Sequence, residues 1–181
     1  MRFRRIFDEH EAAMRSYCKR RLSIHDANDA VAEIFVVAWR KIDEMPSGSE
    51  TRLWLYGVAR NAVRNARRGD RRRARLSARA GAVAPNPRSG PDEIVVRRSE
   101  DRLVLEAMNQ LKPDDQEVLR LHLWEELPHA DIGAVLGVST DAARVRLARA
   151  MKRMGKALRS TGYSHDLSTS PRADRERGVT E

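Results

Sequence analysis

Residues 138–154, VSTDAARVRLARAMKRM, decide how the chain reads. A Gly137-Val138-Ser139 corner opens a helix carrying Arg144, Arg146, Arg149, Lys152 and Arg153. Just before it, His129 to Leu136 is short and patterned with apolar residues. Two short helices across a glycine turn, the second one basic, are the signature of a helix-turn-helix. Gly137 suits the left-handed cap of the first helix. Ser139 suits the N-cap of the second, whose first turn can point at a phosphate. Helical spacing turns Ala143, Leu147, Ala150 and Met154 inward. It leaves Thr140, Asp141, Arg144, Val145, Ala148 and Arg149 outward, towards a major groove. An arginine that is bidentate on guanine contributes about 1–3 kcal/mol of base discrimination. Arg146 and Arg153 read as phosphate contacts or intrahelical pairs. DNA is therefore the leading partner.

Composition agrees. The 181 residues carry a formal net charge of +9, and the sequence pI is near 10.5. That balance points to a polyanion. Apolar residues make up 41% but aromatics only 5%, so small aliphatic cores are expected. Cys18 is the one cysteine, which excludes a disulfide framework and a cysteine zinc site. His10, His25, His122, His129 and His165 lack metal-ligand spacing, so neither metal nor cofactor is expected. No apolar run reaches the roughly 20 residues of a membrane span. MRFRRIFDEHE, at the start, lacks a signal-peptide core. A cytoplasmic protein without membrane insertion is expected.

Helical periodicity dominates, and no segment alternates like a strand. The expected fold is all-α, with two small helical domains. The first spans 1–75, a Pro/Gly/Ala linker 76–91, the second 92–159, and a disordered tail 160–181. Pro85, Pro87 and Pro91 disfavour helix before them. The linker's roughly 16 residues reach about 50–55 Å fully extended. In the first domain Ala27, Ala30, Val31, Ile34, Phe35, Ala38 and Ile42 mark one buried face, with Asp26 and Asp29 near the helix start. After a break at MPSGSE (45–50), a second helix runs from about Thr51 to Arg73. Leu55, Ala59, Ala62 and Ala66 line its apolar side. Asn61, Arg64, Asn65 and Arg68 share another. In the second domain Leu103, Ala107 and Leu111 share a helix. Pro113, Asp114 and Asp115 then begin another, and Pro128 a third, at its first position.

With these residues in place, the chain resembles the extracytoplasmic-function sigma factors, bacterial transcription initiation factors of the sigma-70 superfamily. DANDAVAEIFVVAWRK (26–41) and WLYGVARNAVRNARR (54–68) are similar to sigma region two. LKPDDQEVLRLHLWEELPHADIGAVLGVSTDAARVRLARA (111–150) is similar to region four. The chain departs from the usual family residues at Ala32, Thr51, Pro128, Ala142 and Ala143.

The resemblance implies three surfaces. Asp29, Glu33, Val36, Val37 and Arg40 would dock on core RNA polymerase, at the β′ clamp helices; the β flap is a second polymerase contact. Trp54, Arg60, Asn61, Arg64, Asn65 and Arg68 would read the −10 element as single strand, helped by the 45–50 loop. Such reading needs a basic groove and groups that stack on or bond to exposed bases. On spacing alone Trp54 reads equally as core. Ser139, Thr140, Asp141, Arg144, Val145, Ala148 and Arg149 would read the −35 element. The run Arg67, Arg68, Arg71, Arg72, Arg73 and Arg75 would add phosphate contacts without sequence information. An anti-sigma factor is a further partner that the family allows. No nucleophile–base arrangement is present, so an enzyme is not expected. Three rivals fit parts of the pattern: a dimeric helix-turn-helix regulator acting without polymerase, a recombinase, and a polymerase adaptor that reads no promoter. The basic Asn/Arg face of the first domain argues against the regulator. The recombinase lacks a catalytic serine or tyrosine with an arginine cluster.

Overall fold

The computed structural model describes residues 2–79 and 99–161. They form helices only: α1 (Arg2–Lys19), α2 (Ile24–Arg40), α3 (Ser49–Arg79), α4 (Ser99–Asn109), α5 (Pro113–Leu123), α6 (His129–Leu136) and α7 (Thr140–Ser160).

The first three pack on one another. On α2 the residues Ala27, Ala30, Val31, Ile34, Phe35 and Ala38 are buried, as the periodicity requires. Ile42 lies beyond the helix and is half-buried. Ser23 caps α2 by accepting a hydrogen bond from the Asp26 amide at 3.3 Å. On α3, Leu55, Ala59 and Ala62 are buried. Alanines on both helices let the backbones approach closely, so a core with few aromatics still fills its volume. Two differences from the sequence reading stand out. Helix α1 is a separate element, burying Ile6, His10, Met14, Tyr17 and Cys18. Helix α3 starts at Ser49 and continues through Arg79. It thus takes in the first residues of the expected linker; 80–91 lie outside the described residues, as does the tail from 162 on.

Helices α4 to α7 form the second unit. Pro113 opens α5 in its first turn, with Asp114 and Asp115 beside it. Pro128 is the N-cap of α6 rather than its first residue, with φ −69° and ψ 165°. Gly137 ends α6 in the left-handed region, at φ 67° and ψ 41°. The Val138 amide donates to Gly133 O at 2.9 Å and the Gly137 amide to Ala134 O at 3.3 Å. These bonds satisfy carbonyls that the helix end leaves free. Ala143, Leu147, Ala150 and Met154 of α7 are buried.

The two units touch. Helix α3 packs on α6, and a buried ionic cluster joins the end of α1 to α5 and to the turn after it. Both expected helical units are therefore present, and among the described residues they pack on each other.

Candidate nucleic-acid and partner interfaces

The outward face of α7 is as expected. Ser139, Thr140, Asp141, Arg144, Val145, Ala148 and Arg149 are all exposed. Ser139 Oγ accepts the Ala142 amide at 3.2 Å. Arg144 pairs with Asp141 one turn back at 3.2 Å. An exposed pair of this kind contributes little to stability, so it leaves Arg144 ready to exchange partners. Arg153 is not an intrahelical partner. It bonds both oxygens of Asp115 on α5 at 2.7 and 2.8 Å, pinning α7 to α5. Ser139→Ala is expected to lower the stability of this unit by about 1 kcal/mol, measured as a lower thermal midpoint.

On α3, Asn61, Arg64, Asn65 and Arg68 are exposed together and Arg60 is half-buried. Trp54 is half-buried and packs against the core, so packing is its visible role. The loop before α3 is held at several points. Thr51, buried, donates its hydroxyl to Pro46 O at 2.8 Å. Arg2 donates to Ile42 O at 2.8 Å and Met45 O at 2.6 Å. Gly48 sits at φ 69°, a conformation that favours glycine. Thr51 is thus the staple of the loop, which gives this departure from the family pattern a structural purpose.

On α2, Asp29, Glu33, Val36 and Arg40 are exposed and Val37 is half-buried. Asp29 faces His25 at 3.4 Å. The sequence reading passed over Trp39, which is 63% exposed. Its ring meets Phe3 of α1 edge-on, at 5.1 Å between centroids. Phe3 and Phe7 also pack on Phe35. Two phenylalanines four apart at the start of α1, Phe3 and Phe7, were the available signal. An exposed indole beside charged residues suits a partner-binding surface.

Sequence reasoning also missed the inter-unit cluster. The Arg21 side chain is fully buried. It donates from Nε to Glu117 Oε2 at 2.9 Å, and from Nη1 to Glu125 Oε1 and Tyr17 O, both at 3.0 Å. The Tyr17 hydroxyl donates to Glu117 Oε1 at 2.7 Å. Arg20 reaches Glu125 at 3.0 Å, Arg52 donates to Glu125 O at 3.1 Å, and Arg67 donates to Arg21 O at 3.1 Å. Burial disfavours the charged form of Glu117, yet the Arg21 charge and the Arg21 and Tyr17 hydrogen bonds outweigh it and hold its carboxyl below the usual range. Burial raises the Tyr17 hydroxyl well above its usual value. Arg120 is 2% exposed. Burial, with Arg21 and Arg67 nearby, lowers it to about 10. Its Nε and Nη1 have no hydrogen-bond partner.

Among the described residues no cluster of His, Cys, Asp and Glu could hold a metal ion. None of their helices is long and apolar enough to cross a membrane.

Known proteins share this arrangement. The family description "Sigma-70 region 2" matches residues 6–73, and "Sigma-70, region 4" matches 101–154. The RNA polymerase sigma factor CnrH of Cupriavidus metallidurans is 30% identical over 141 residues, 74% of this chain and 73% of its own. A sigma factor named RfaY, of Xanthomonas campestris pv. campestris, is 32% identical over 127 residues; these are 68% of this chain, yet it spans only 32% of that relative's length. The structure of the sigma factor RpoE in complex with the anti-sigma factor NepR, from Bartonella quintana, superposes with a TM-score of 0.64 at 22% identity, covering 87% of this chain and 96% of that one. At that identity the likeness concerns the fold. The chain belongs to the extracytoplasmic-function family of RNA polymerase sigma factors, transcription initiation factors that are not enzymes.

Proposed function

We propose that the chain docks on core RNA polymerase through α2, reads a −35 element as duplex with α7, and reads a −10 element as single strand with α3. One observation carries this reading. Two separate helices of one chain each present an exposed face rich in polar and basic groups: Thr140 to Arg149 on α7, and Asn61 to Arg68 on α3. A single reading head needs one such face. Two suit two DNA elements, one closed and one opened. The side chains on α7 match major-groove chemistry. Asn61 and Asn65 lie one turn apart and can both bond the edges of unstacked bases in one strand. The Asp29–Arg40 face of α2, extended by Trp39, Phe3 and Phe7, is the docking surface. Charges there set register and on-rate, and the aromatics supply buried area. An anti-sigma factor, the class of partner bound in the RpoE–NepR structure, would act by covering these faces.

Purified protein with core polymerase is expected to give promoter-specific transcripts from a genomic promoter library; protein alone is not. Arg144→Ala and Arg149→Ala should each weaken −35 discrimination by about 1–3 kcal/mol. Asn61→Ala and Asn65→Ala should instead slow strand opening, read as permanganate reactivity of unpaired thymines. Equal losses from all four variants on every sequence would reduce them to phosphate contacts and defeat the reading.

A further inference from the structure

The loop between α2 and α3 is tied down from two sides. From α1, Arg2 donates from Nη1 to Ile42 O at 2.8 Å, and from Nη2 to Met45 O at 2.6 Å and Pro46 O at 3.4 Å. From α3, the Thr51 hydroxyl donates to the same Pro46 O at 2.8 Å, and the Thr51 amide to Gly48 O at 3.2 Å. The Met45 side chain is buried. Ser47, Gly48, Ser49 and Glu50 are left exposed at the tip.

We propose that Arg2 is a positioning residue for −10 reading. It holds the 46–50 loop in one shape, so that Ser47 and Ser49 meet a nucleotide of the opened strand without reordering. This rests on the reading of α3, with the loop before it, as the strand-binding element.

The chemistry of the contact suits that task. Carbonyls at a helix C-terminus carry partial negative charge and attract a cation. Ile42, Met45 and Pro46 follow the end of α2 at Arg40. A planar guanidinium spans several such acceptors at once, which one ammonium does not. Packing does not hold the tip: a Cβ at Gly48 would meet nothing within 4 Å. Its glycine, at φ 69°, has other conformations open to it. The hydrogen bonds at the two ends of the tip therefore select its shape. A loop already in that shape gives up less conformational entropy on binding, and it adapts less to a wrong base. Ser49 and Asn61 are twelve residues apart, about 18 Å along the helix. The loop and the Asn61–Asn65 pair thus meet different nucleotides, so loosening the loop should blur one promoter position and spare the others.

Two measurements test this. Hydrogen–deuterium exchange of the full chain follows residues 45–50. Transcription by the chain with core polymerase, from a library randomised across the −10 element, gives the preference at each position. Arg2→Met removes the donors and keeps the stem. It should speed exchange at 45–50 and weaken the preference at one −10 position about fivefold, the ratio set by one net hydrogen bond. Preferences in the −35 element should match the parent. Thr51→Val removes the second tie and should act at the same position. Arg2→Lys should restore the preference only in part. Arg5→Met takes an exposed charge from the same helix and should match the parent in both measurements.

Unchanged exchange at 45–50 in Arg2→Met overturns the inference. So does an equal loss of preference at every position, which would report lower stability alone, and so does an Arg5→Met variant with the same effects, which would report charge alone. If Thr51→Val loses helicity by circular dichroism, Arg2→Met decides by itself, since Arg2 is exposed. Asn61→Ala separates the two levels. If it alters −10 preference while a loosened Arg2→Met does not, only the inference fails. If neither alters it, the reading of α3 fails and takes the inference with it.

Discussion

Gly133→Ala is expected to disorganise the helix-turn-helix. In most helices this change stabilises by up to about 1 kcal/mol. At Gly133 the added Cβ would lie 2.9 Å from Val138 O and 3.4 Å from Ser139 C and O, all backbone atoms of the turn. A flexible side chain could move aside; a turn capped at both Gly137 and Ser139 cannot do so without shifting α7. Overpacking of this kind costs about 1–3 kcal/mol, which exceeds the propensity gain. For a unit of this size each kcal/mol lowers the thermal midpoint by about 4–8 °C. Duplex binding should fall further than stability, because the displaced helix carries the residues proposed to read the duplex. Gly155→Ala is the internal contrast. There the new Cβ meets only Arg159 Nη1 at 3.6 Å, so the same substitution should be neutral or stabilising. Equal midpoints for the two variants would mean the turn does not rely on close approach at Gly133.

Arg21→Ala is expected to break the contact between the units. It leaves Glu117 and Glu125 facing each other's surroundings without their shared partner. Removing one member of a buried ion pair costs about 3–5 kcal/mol. The chain avoids most of that cost by separating the units, so that the carboxylates regain water. One cooperative thermal transition should then become two, with helicity retained. Arg21→Lys should not restore the single transition, because one ammonium cannot replace three nitrogens in a planar fork. Acid should act in the same direction. The Glu117 carboxyl is held below its usual range, so its contribution is present above the pKa of a free carboxyl. It is lost as pH falls through the lower folded value. A single transition that persists in Arg21→Ala at every pH would show that α3 against α6 suffices to hold the units together.

Much of this protein is legible locally. Helix α6 was legible to within one residue, its start at His129 rather than Pro128, and α7 from its cap residue onward, because Gly137, Ser139 and the run Ala143, Leu147, Ala150, Met154 act within one or two turns. Pro113 and Asp114 mark the start of α5 for the same reason. The reading was weaker where local signals mixed. In α1 the buried row includes His10 and is interleaved with charges, so its apolar stripe does not stand out. In α3 the arginines past Arg73 favour helix as readily as linker, and the helix runs on. Trp54 could not be assigned from spacing, since one aromatic on an amphipathic helix suits core and ligand alike; in the structure it is half-buried against the core.

By itself the sequence determined the all-helical fold, the helix-turn-helix and the outward faces of α3 and α7, since caps and periodicity depend on residues a few positions apart. Only the tertiary structure decided that the two units close on each other. Arg21 meets Glu117 across 96 residues and Glu125 across 104, and no local pattern selects one carboxylate from the 26 acidic residues in the chain. An ion pair of that kind is chosen by burial and by geometry in three dimensions, which exist only once both helical units have formed.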